Sequence, residues 1–380
     1  MEERIKRLVH WMEGKKEPPT TIELIPTDRC NSACKTCWRR GFTEEQLEER
    51  IKNEMTDQRI LELVEEAAEM GVLEIAMVGG GEPLTRKVTF DVMKKIKEFG
   101  IIGDIVTNGT LLNDEMIQFM VKNGWERIKF SVDGPDARTH DYLRGIKCFD
   151  NVVKNIRKLS ELKRKLKVDN PRIIFNTVIS DVNYKLLPDM VKLANKIGCE
   201  EILLLPMTVF SDSMKNMKLD ERETNEFQRI LLDAIELSKK YNVSTNFENF
   251  LNSKYVEKTD KMDEVIMEEV EMIKKEYSIK NDPIENFKFL PCFDPWYHVT
   301  IIANGNIAPC FGSWVWETNV SIKNHTLKEL WYGEYFDKFR NIMLTRKLPK
   351  SCATCCVWKV FTNRNIRNCI DESVRGDLNG

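Results

Sequence analysis

The fold and the chemistry of this chain are organised around one stretch, Thr27-Asp28-Arg29-Cys30-Asn31-Ser32-Ala33-Cys34-Lys35-Thr36-Cys37-Trp38, in which three cysteines have a C-x3-C-x2-C spacing. The residues between the cysteines are small or polar, so the backbone can curl tightly around a metal group. A structural zinc site closes with four ligands, whereas an iron–sulfur cluster held by three cysteines keeps one iron open to a ligand. The spacing therefore favours an iron–sulfur cluster, and the alternatives are a zinc site or three unrelated thiols.

The composition is that of a globular protein. Of its 380 residues, 42% are apolar and 31% are charged, and the net charge of −2 speaks against nucleic acid as the main partner. No apolar run reaches the length of a membrane span, and the charged N-terminus lacks the apolar core of a signal peptide. We therefore expect a cytoplasmic protein. In that compartment, the eleven cysteines favour metal binding or catalysis over disulfides.

Apolar segments alternate with amphipathic helical segments in the first half of the chain. The apolar segments predict six strands, at residues 22–25, 73–78, 104–106, 128–132, 172–179 and 201–205. Strands with continuous apolar runs are buried on both faces, which predicts a parallel α/β sheet. Because ligands bind at the carboxyl ends of such strands, we expect the functional residues to follow them.

Glycines and polar residues lie at these strand ends. The second predicted strand leads into Gly79-Gly80-Gly81-Glu82-Pro83. Glycines let the backbone approach a ligand closely, and a carboxylate can accept hydrogen bonds from an ammonium group. Arg144, after the fourth strand, could bind a carboxylate at two points. The alternatives are an ordinary strand–helix turn for the glycines and a surface ion pair for the arginine.

A second group of cysteines lies near the C-terminus. Two β-type runs flank Asn304-Gly305, which predicts a hairpin that brings Cys292 and Cys310 towards each other, and a helix is predicted over 327–344. With Cys352 and Cys355 the spacing is C-x17-C-x41-C-x2-C. Four thiolates can close an iron–sulfur cluster, and they can equally bind zinc.

The cysteine spacing, the G-G-E-P element and Ser131-Val132-Asp133-Gly134 with its following Leu143-Arg144-Gly145 resemble the radical S-adenosylmethionine (SAM) superfamily. The resemblance implies an α/β fold, a partial (β/α)6 TIM-like barrel. It implies that Cys30, Cys34 and Cys37 bind a [4Fe-4S] cluster whose open iron binds SAM. Reductive cleavage of SAM then gives a 5′-deoxyadenosyl radical that abstracts hydrogen from an unactivated C–H bond. One departure is Thr36, where the family often has an aromatic residue.

The resemblance also implies which residues bind SAM. Glu82, with Gly80 and Gly81, would hold the methionine amine. Ser131 and Arg144 would contact the carboxylate and the ribose. The other candidates at strand ends are Asn108, Asp133, Asn176 and Leu205. His140 is expected on a helix surface.

The C-terminal cysteines resemble the abbreviated "twitch" form of the SPASM domain. The resemblance implies one auxiliary [4Fe-4S] cluster bound by Cys292, Cys310, Cys352 and Cys355, in preference to two clusters. A cluster with four protein ligands has no open iron, so electron transfer is its expected role. Cys356 could replace Cys355 as a ligand. The sequence does not decide whether Cys356 and Cys369 are ligands, hydrogen-atom donors or structural residues.

These features predict four segments and one function. The segments are an N-terminal helix (1–20), the barrel (21–210), a helical linker (211–290) and an auxiliary domain with a β-hairpin plus helix (291–380). The predicted function is oxidation or epimerisation of a small polar substrate, such as a sugar or an aminocyclitol, because only a short segment precedes strand 1. An external one-electron donor of the flavodoxin or ferredoxin type is implied.

Three alternatives stay open. The first is radical modification of a peptide or protein, which some relatives perform without an N-terminal recognition domain. The second, from another class, is a non-catalytic zinc or iron–sulfur module. The third is RNA modification, which the charge balance disfavours.

Overall fold

A computed structural model describes residues 2–251, 282–311, 318–348, 352 and 362–370. These residues form two compact units. The large unit comprises the described residues of Ile25–Glu54 and Ala76–Thr259. The small unit comprises the described residues of Met1–Leu24, Met55–Ile75 and Asp260–Gly380.

The strands and helices are numbered here in chain order. The strands are β1 (Thr21–Leu24), β2 (Glu74–Met77), β3 (Ile102–Thr107), β4 (Arg127–Ser131), β5 (Arg172–Val178), β6 (Glu201–Leu205), β7 (Ser244–Thr245), β8 (His298–Ile301) and β9 (Ile307–Ala308). The helices of the large unit are α2 (Glu44–Lys52), α4 (Val88–Glu98), α5 (Asp114–Lys122), α6 (Ala137–Arg144), α7 (Phe149–Leu166), α8 (Leu187–Ile197), α9 (Asp212–Lys215) and α10 (Glu221–Tyr241). Those of the small unit are α1 (Glu2–Met12), α3 (Asp57–Met70), α11 (Pro283–Lys288), α12 (Asp294–Tyr297), α13 (Leu327–Tyr332) and α14 (Glu334–Leu344), with a further helix over 362–370.

The sheet of the large unit is parallel. Strands β3 to β7 lie side by side in chain order, and β2, whose last two residues belong to this unit, lies beside β3. Apolar side chains such as Ile105, Phe130 and Phe175 are fully buried, as expected for strands covered on both faces. The predicted α/β fold, a partial (β/α)6 barrel, is confirmed.

Local capping explains where the helices of this unit begin and end. The side chains of Asn113 and Asp136 accept backbone N–H groups at the starts of α5 and α6. Helices α6 and α8 end at Gly145 and Gly198, which have the positive φ of a left-handed cap. Helix α5 accordingly begins directly after its capping residue, Asn113.

In the small unit, the predicted hairpin is present as β8 and β9, which pair in antiparallel register. Strand β8 also pairs in parallel with β1, and the sequence did not predict this pairing. An apolar core beside these strands joins α1 to the C-terminal segments, and its fully or nearly fully buried members include Leu8, Leu290, Phe293 and Ile366.

Two helix predictions need correction. The N-terminal helix ends at Met12 and does not continue towards Pro18. The helix predicted over 327–344 is interrupted at Gly333, whose extended backbone ends α13 and begins α14. An added Cβ at Gly333 would lie 2.4 Å from the Glu329 carbonyl oxygen, so the break depends on a close backbone approach. Residues 252–281 of the predicted helical linker lie outside the described residues.

Within the described ranges, we find no helix that combines the length and the apolar character needed to cross a membrane.

Candidate active site

The loop with Cys30, Cys34 and Cys37 follows β1 and begins the large unit. All three thiols are free and half-buried. The C-terminal end of α6 holds the loop, because the Arg144 and Leu143 carbonyls accept the Ala33 and Lys35 amides at 3.2 and 2.8 Å. From the other side, the Arg40 guanidinium donates to the carbonyl oxygens of Cys34, at 3.1 Å, and Ala33.

The three sulfur atoms lie close enough to affect one another. Burial raises the pKa of the Cys34 thiol to about 12, the Arg144 guanidinium lowers it, and the neighbouring Cys37 and Cys30 raise it further. Burial also raises the pKa of Cys37, with Cys30 adding to the effect. Three mutually close, half-buried thiols fit a shared cationic metal group, which stabilises thiolates outright.

A buried ionic network supports the start of this loop. The Glu54 carboxylate accepts the Thr27 hydroxyl and the Asp28 amide, both at 2.7 Å. The Arg50 guanidinium lies 3.0 Å from the carboxylate of Asp28, which is 1% exposed and whose pKa is raised by burial. Sequence reasoning missed Glu54 and Arg50, since neither lies in a recognisable motif.

The glycines of the G-G-E-P element permit a very close approach to the cysteine loop. A Cβ added to Gly81 would lie 1.9 Å from the Arg29 carbonyl oxygen, and one added to Gly80 would lie 2.5 Å from an Asp28 carboxylate oxygen. A side chain at Gly81 would overlap the backbone, and one at Gly80 would require the Asp28 and Ile25 side chains to move. In this structure, the two glycines therefore position the loop after β2 against the loop after β1.

Glu82 is 3% exposed, and its carboxylate accepts three hydrogen bonds. The donors are the Asn108 amide at 2.6 Å, the Thr107 hydroxyl at 2.7 Å and the Leu84 amide at 3.1 Å. Burial raises its pKa, and these hydrogen bonds lower it. Glu82 thus joins the loops after β2 and β3, and its role towards a SAM amine stays a prediction.

Asn108 connects the loop after β3 to the cysteine loop. Its side-chain amide donates to Asn31 Oδ1 at 2.8 Å and to Ser32 Oγ at 3.1 Å. Its own Oδ1 accepts the Thr110 amide and hydroxyl, which fixes the amide orientation. Asn108 therefore contacts the cysteine loop directly, and its predicted role towards SAM stays a prediction.

Asp133 and Arg144 form a buried ion pair beside the cysteines. The Arg144 Nη1 donates to Asp133 Oδ2 at 3.1 Å, while Asp133 Oδ1 accepts the Val178 amide at 3.0 Å. His140 is fully buried here, so the expectation that it lies on a helix surface is wrong. Burial lowers the pKa of His140 to about 4, and its Nδ1 accepts the Asp133 amide, so the ring is neutral near pH 7.

Several buried polar atoms at this edge, His140 Nε2 among them, have no hydrogen-bond partner among the described residues, and two of them are candidate ligand contacts. Arg144 Nε and Asn176 Oδ1 have no hydrogen-bond partner among the residues that the structure describes. Ser131, at the end of β4, lies directly beside Asn176 in the parallel register, and Leu205 ends β6 beside Val178. One unpartnered donor and one unpartnered acceptor fit a polar ligand such as SAM, which carries a carboxylate and hydrogen-bond donors.

The second set of cysteines belongs to the small unit. Cys292, Cys310 and Cys352 are half-buried. Cys292 and Cys352 both pack against the apolar core that contains Leu290 and Phe293. Half-buried cysteine sulfurs are a donor type that fits an iron–sulfur cluster. Cys355 and Cys356 lie outside the described residues.

Curated proteins with similar sequences include three different activities. A tungsten-containing aldehyde ferredoxin oxidoreductase cofactor-modifying protein of Pyrococcus furiosus is 27% identical over 191 residues, 49% of this chain and 52% of that protein. An AdoMet-dependent heme synthase of Methanosarcina barkeri is 30% identical over 58% of this chain and 59% of that protein. A PqqA peptide cyclase of Xanthomonas campestris is 22% identical over 89% of this chain and 79% of that protein. The chain thus spans less than two thirds of the first two relatives.

Solved structures with a similar fold include two that bind SAM. Streptococcus suis SuiB bound to S-adenosylmethionine has a TM-score of 0.62 at 16% identity, over 85% of this chain and 68% of that chain. The structure of anSMEcpe with bound AdoMet and Cp18Cys peptide has a TM-score of 0.56 at 17% identity, over 90% of this chain and 88% of that chain. At these identities the similarity establishes the fold alone.

Two family models match the chain in the regions that carry the two cysteine sets. Residues 24–194 match the radical SAM superfamily, and residues 292–356 match the SPASM iron–sulfur cluster-binding domain. The cofactors that these domains imply are SAM and [4Fe-4S] clusters. The chain is therefore a member of the radical SAM superfamily that carries a C-terminal SPASM iron–sulfur cluster-binding domain.

Proposed function

We propose that this radical SAM enzyme cleaves SAM reductively and modifies an unactivated C–H bond of a polypeptide substrate. Cys30, Cys34 and Cys37 are the proposed ligands of the SAM-binding cluster. The observation that carries the proposal is that Arg144, whose Nε is buried and unpartnered, interacts electrostatically with Cys34 and holds the cysteine loop through its carbonyl group. Metal ligands and polar groups for an organic ligand thus occur together.

When bound, the cluster and SAM supply the electron and the 5′-deoxyadenosyl radical that abstracts hydrogen. The chain's own residues hold and orient them. Arg144 would donate from Nε to an anionic group of the ligand, and Asp133 keeps its guanidinium in place at 3.1 Å. Asn176 would accept a hydrogen bond through Oδ1. Arg40 and the end of α6 keep the cysteine loop in one conformation.

A group of partly exposed aromatic side chains is an argument for a polypeptide substrate. Trp38 and Phe42 contact each other edge to face at 5.3 Å, and the Arg50 guanidinium lies over both rings. An added Cβ at Gly41 would lie 3.6 Å from Phe210 Cβ, so Phe210 lies next to this pair. We call Trp38, Phe42 and Phe210 the aromatic rim.

The aromatic rim adjoins the cysteine loop in the chain and lies on residues that follow the carboxyl ends of β1 and β6. Trp38 directly follows Cys37, and Phe210 follows β6 at the carboxyl edge of the sheet. Phe42 and Phe210 are 37% and 48% exposed, which is unusual for large apolar side chains grouped together. Aromatic side chains are enriched in surfaces that bind polypeptides. The similarity to a PqqA peptide cyclase over 89% of the chain agrees with this substrate class.

The auxiliary cluster is proposed to transfer electrons, with Cys292, Cys310, Cys352 and Cys355 as its ligands. The sequence-based prediction of oxidation or epimerisation of a small polar substrate stays the second candidate. Polar atoms at Asn176 and Ser131 favour it, since they could also contact substrate hydroxyls. We further propose an external one-electron donor of the flavodoxin or ferredoxin type and a cytoplasmic location, where eleven cysteines stay reduced.

The reaction is tested with protein reconstituted anaerobically with iron and sulfide. We expect 5′-deoxyadenosine to form from SAM after reduction with dithionite. The Cys34→Ala variant should lose this activity, whereas Cys199→Ala, at a buried thiol away from the proposed site, should keep it. If the parent forms no 5′-deoxyadenosine, or if Cys34→Ala equals the parent, the enzyme proposal fails and a non-catalytic metal module becomes the better account.

The substrate class is tested with deuterated synthetic peptides. Their sequences are those encoded by the short reading frames beside the gene. We expect deuterium to appear in 5′-deoxyadenosine. Phe210→Ala should raise the KM for the peptide severalfold without changing SAM cleavage in its absence. Phe99→Ala, 45% exposed but on a different surface of the large unit, is the matched control. If deuterium is transferred from a deuterated sugar or aminocyclitol but not from any peptide, the small polar substrate is favoured.

A further inference from the structure

Asn363 makes two hydrogen bonds at the first proposed ligand of the auxiliary cluster. It belongs to the helix over 362–370, beyond the segment that matches the SPASM family, and it is 2% exposed. Its Nδ2 donates to the Cys292 sulfur at 3.6 Å. Its Oδ1 accepts the Phe293 amide at 2.8 Å. Because the Phe293 amide must face an oxygen, the NH2 group must face the sulfur.

The helix that carries Asn363 is anchored independently of this side chain. Ile366 and Ile370 are buried in the apolar core of the small unit. The Arg367 guanidinium donates to the Leu290 carbonyl oxygen at 3.0 Å. The helix can therefore stay in place when the Asn363 side chain is changed.

A hydrogen bond to a ligand sulfur affects the redox chemistry of a cluster. Reduction adds negative charge, part of which resides on the cysteine sulfurs, so an N–H donor stabilises the reduced form more than the oxidised form. The surroundings of Cys292 strengthen this effect. Leu290 and Phe293 are fully buried apolar neighbours, and an electrostatic interaction is stronger in such an environment than in water.

We propose that Asn363 is a positioning residue that orients the Cys292 sulfur and raises the reduction potential of the auxiliary cluster. The proposal rests on the proposed ligation of that cluster by Cys292. It assigns a role to the segment after residue 356, and it concerns how readily the auxiliary cluster accepts an electron.

The test is an EPR-monitored redox titration of the full-length, reconstituted protein. The auxiliary signal is the one that the addition of SAM does not change. In Asn363→Leu, we expect the ratio of reduced to oxidised auxiliary cluster at a given potential to fall about tenfold, which is a shift of about 59 mV to more negative potential. Asn368→Leu, an exposed asparagine on the same helix, is the matched control and should titrate like the parent.

Each outcome decides the proposal. An unchanged midpoint in Asn363→Leu, with its iron content intact, overturns it. If Asn363→Leu does not retain the auxiliary iron, Asn363→Ser is titrated instead, since its hydroxyl is too short to reach the sulfur, and an unchanged midpoint there overturns the proposal as well. Failure of the proposed ligation is recognised separately, because Cys292→Ala would then keep all of its iron.

Discussion

At the scale of single residues, the proposed site depends on one close backbone approach and on hydrogen bonds between neighbouring loops. Gly81 lies against the Arg29 carbonyl, Glu82 accepts three hydrogen bonds, and Asn108 donates to two residues of the cysteine loop. These residues connect the loops after β1, β2 and β3 to one another. Their first effect is therefore to keep the cysteine loop in a single position, which a metal site requires.

We predict that Gly81→Ala abolishes iron binding at the cysteine loop. The added methyl carbon would lie 1.9 Å from the Arg29 carbonyl oxygen, so the loop must move. A displacement of this kind costs about 1–3 kcal/mol in stability. Iron and sulfide are measured after reconstitution, and the absorbance of the cluster is recorded with and without SAM.

Gly14→Ala is the control for this variant. Its added methyl group meets no atom within 4 Å, although its φ of +80° strains the substitution by about 1 kcal/mol. It should therefore lose some stability but keep the iron of both clusters. Full iron binding and a normal response to SAM in Gly81→Ala would contradict the role of the close approach.

At the scale of secondary structure, α6 positions the cysteine loop through its C-terminal end. Its last carbonyl groups accept the Ala33 and Lys35 amides. Gly145, with φ of +69°, ends the helix directly beside Ala33, where an added Cβ would lie 2.3 Å from the Ala33 carbonyl oxygen. The conformation of the cysteine loop should consequently depend on the stability of this eight-residue helix.

We predict that Asp136→Ala increases the mobility of the cysteine loop. The Asp136 side chain caps α6 by accepting the Thr139 amide at 2.8 Å, and loss of such a cap costs about 1 kcal/mol. If α6 and the loop open together, hydrogen exchange at the Ala33 and Lys35 amides should accelerate about fivefold. Exchange is measured by NMR or by mass spectrometry of peptides from this loop.

Asn113→Ala is the matched control, because Asn113 caps α5, a different helix of the large unit, by accepting the Met116 amide at 2.9 Å. It should destabilise α5 by a similar amount and leave exchange in the cysteine loop unchanged. Equal acceleration in both variants would mean that the effect is global and would rule out a specific connection through α6.

At the scale of the whole molecule, the two cysteine sets belong to different compact units. Cys30, Cys34 and Cys37 lie in the large unit, and Cys292, Cys310 and Cys352 lie in the small unit. Each unit has its own buried apolar residues. The proposed clusters should therefore assemble independently. The predicted domain boundaries near residues 210 and 290 stay predictions.

We predict that replacing Cys30, Cys34 and Cys37 together by alanine removes about four iron atoms per chain and leaves about four in the auxiliary cluster. Replacing Cys292 and Cys310 should have the reverse effect. The measurement is iron and sulfide per chain, together with EPR of the reduced protein. Loss of all iron in either variant would contradict independent assembly and would indicate that one cluster is required for the other.

Much of the fold was predictable because its determinants are local. Helix α5 begins after its capping residue Asn113, α6 and α8 end at glycines, and the Asn304-Gly305 turn predicted the hairpin. The break at Gly333 was not predictable, since the helical pattern continues through it and the close approach to the Glu329 carbonyl is visible only in three dimensions. The burial of His140 was not predictable either, because the face of the polar helix α6 that carries His140 is buried by tertiary packing.

By itself, the sequence determined the parallel α/β fold and the positions of both cysteine sets, since spacing, alternation and strand ends are properties of consecutive residues. Only the tertiary structure decided how the proposed site is built. The Glu54 carboxylate meets the Asp28 amide, Arg144 is oriented by Asp133, and Asn363 reaches the Cys292 sulfur. These partners are 11 to 71 residues apart, and their meeting depends on how strands and loops pack, which no local pattern specifies.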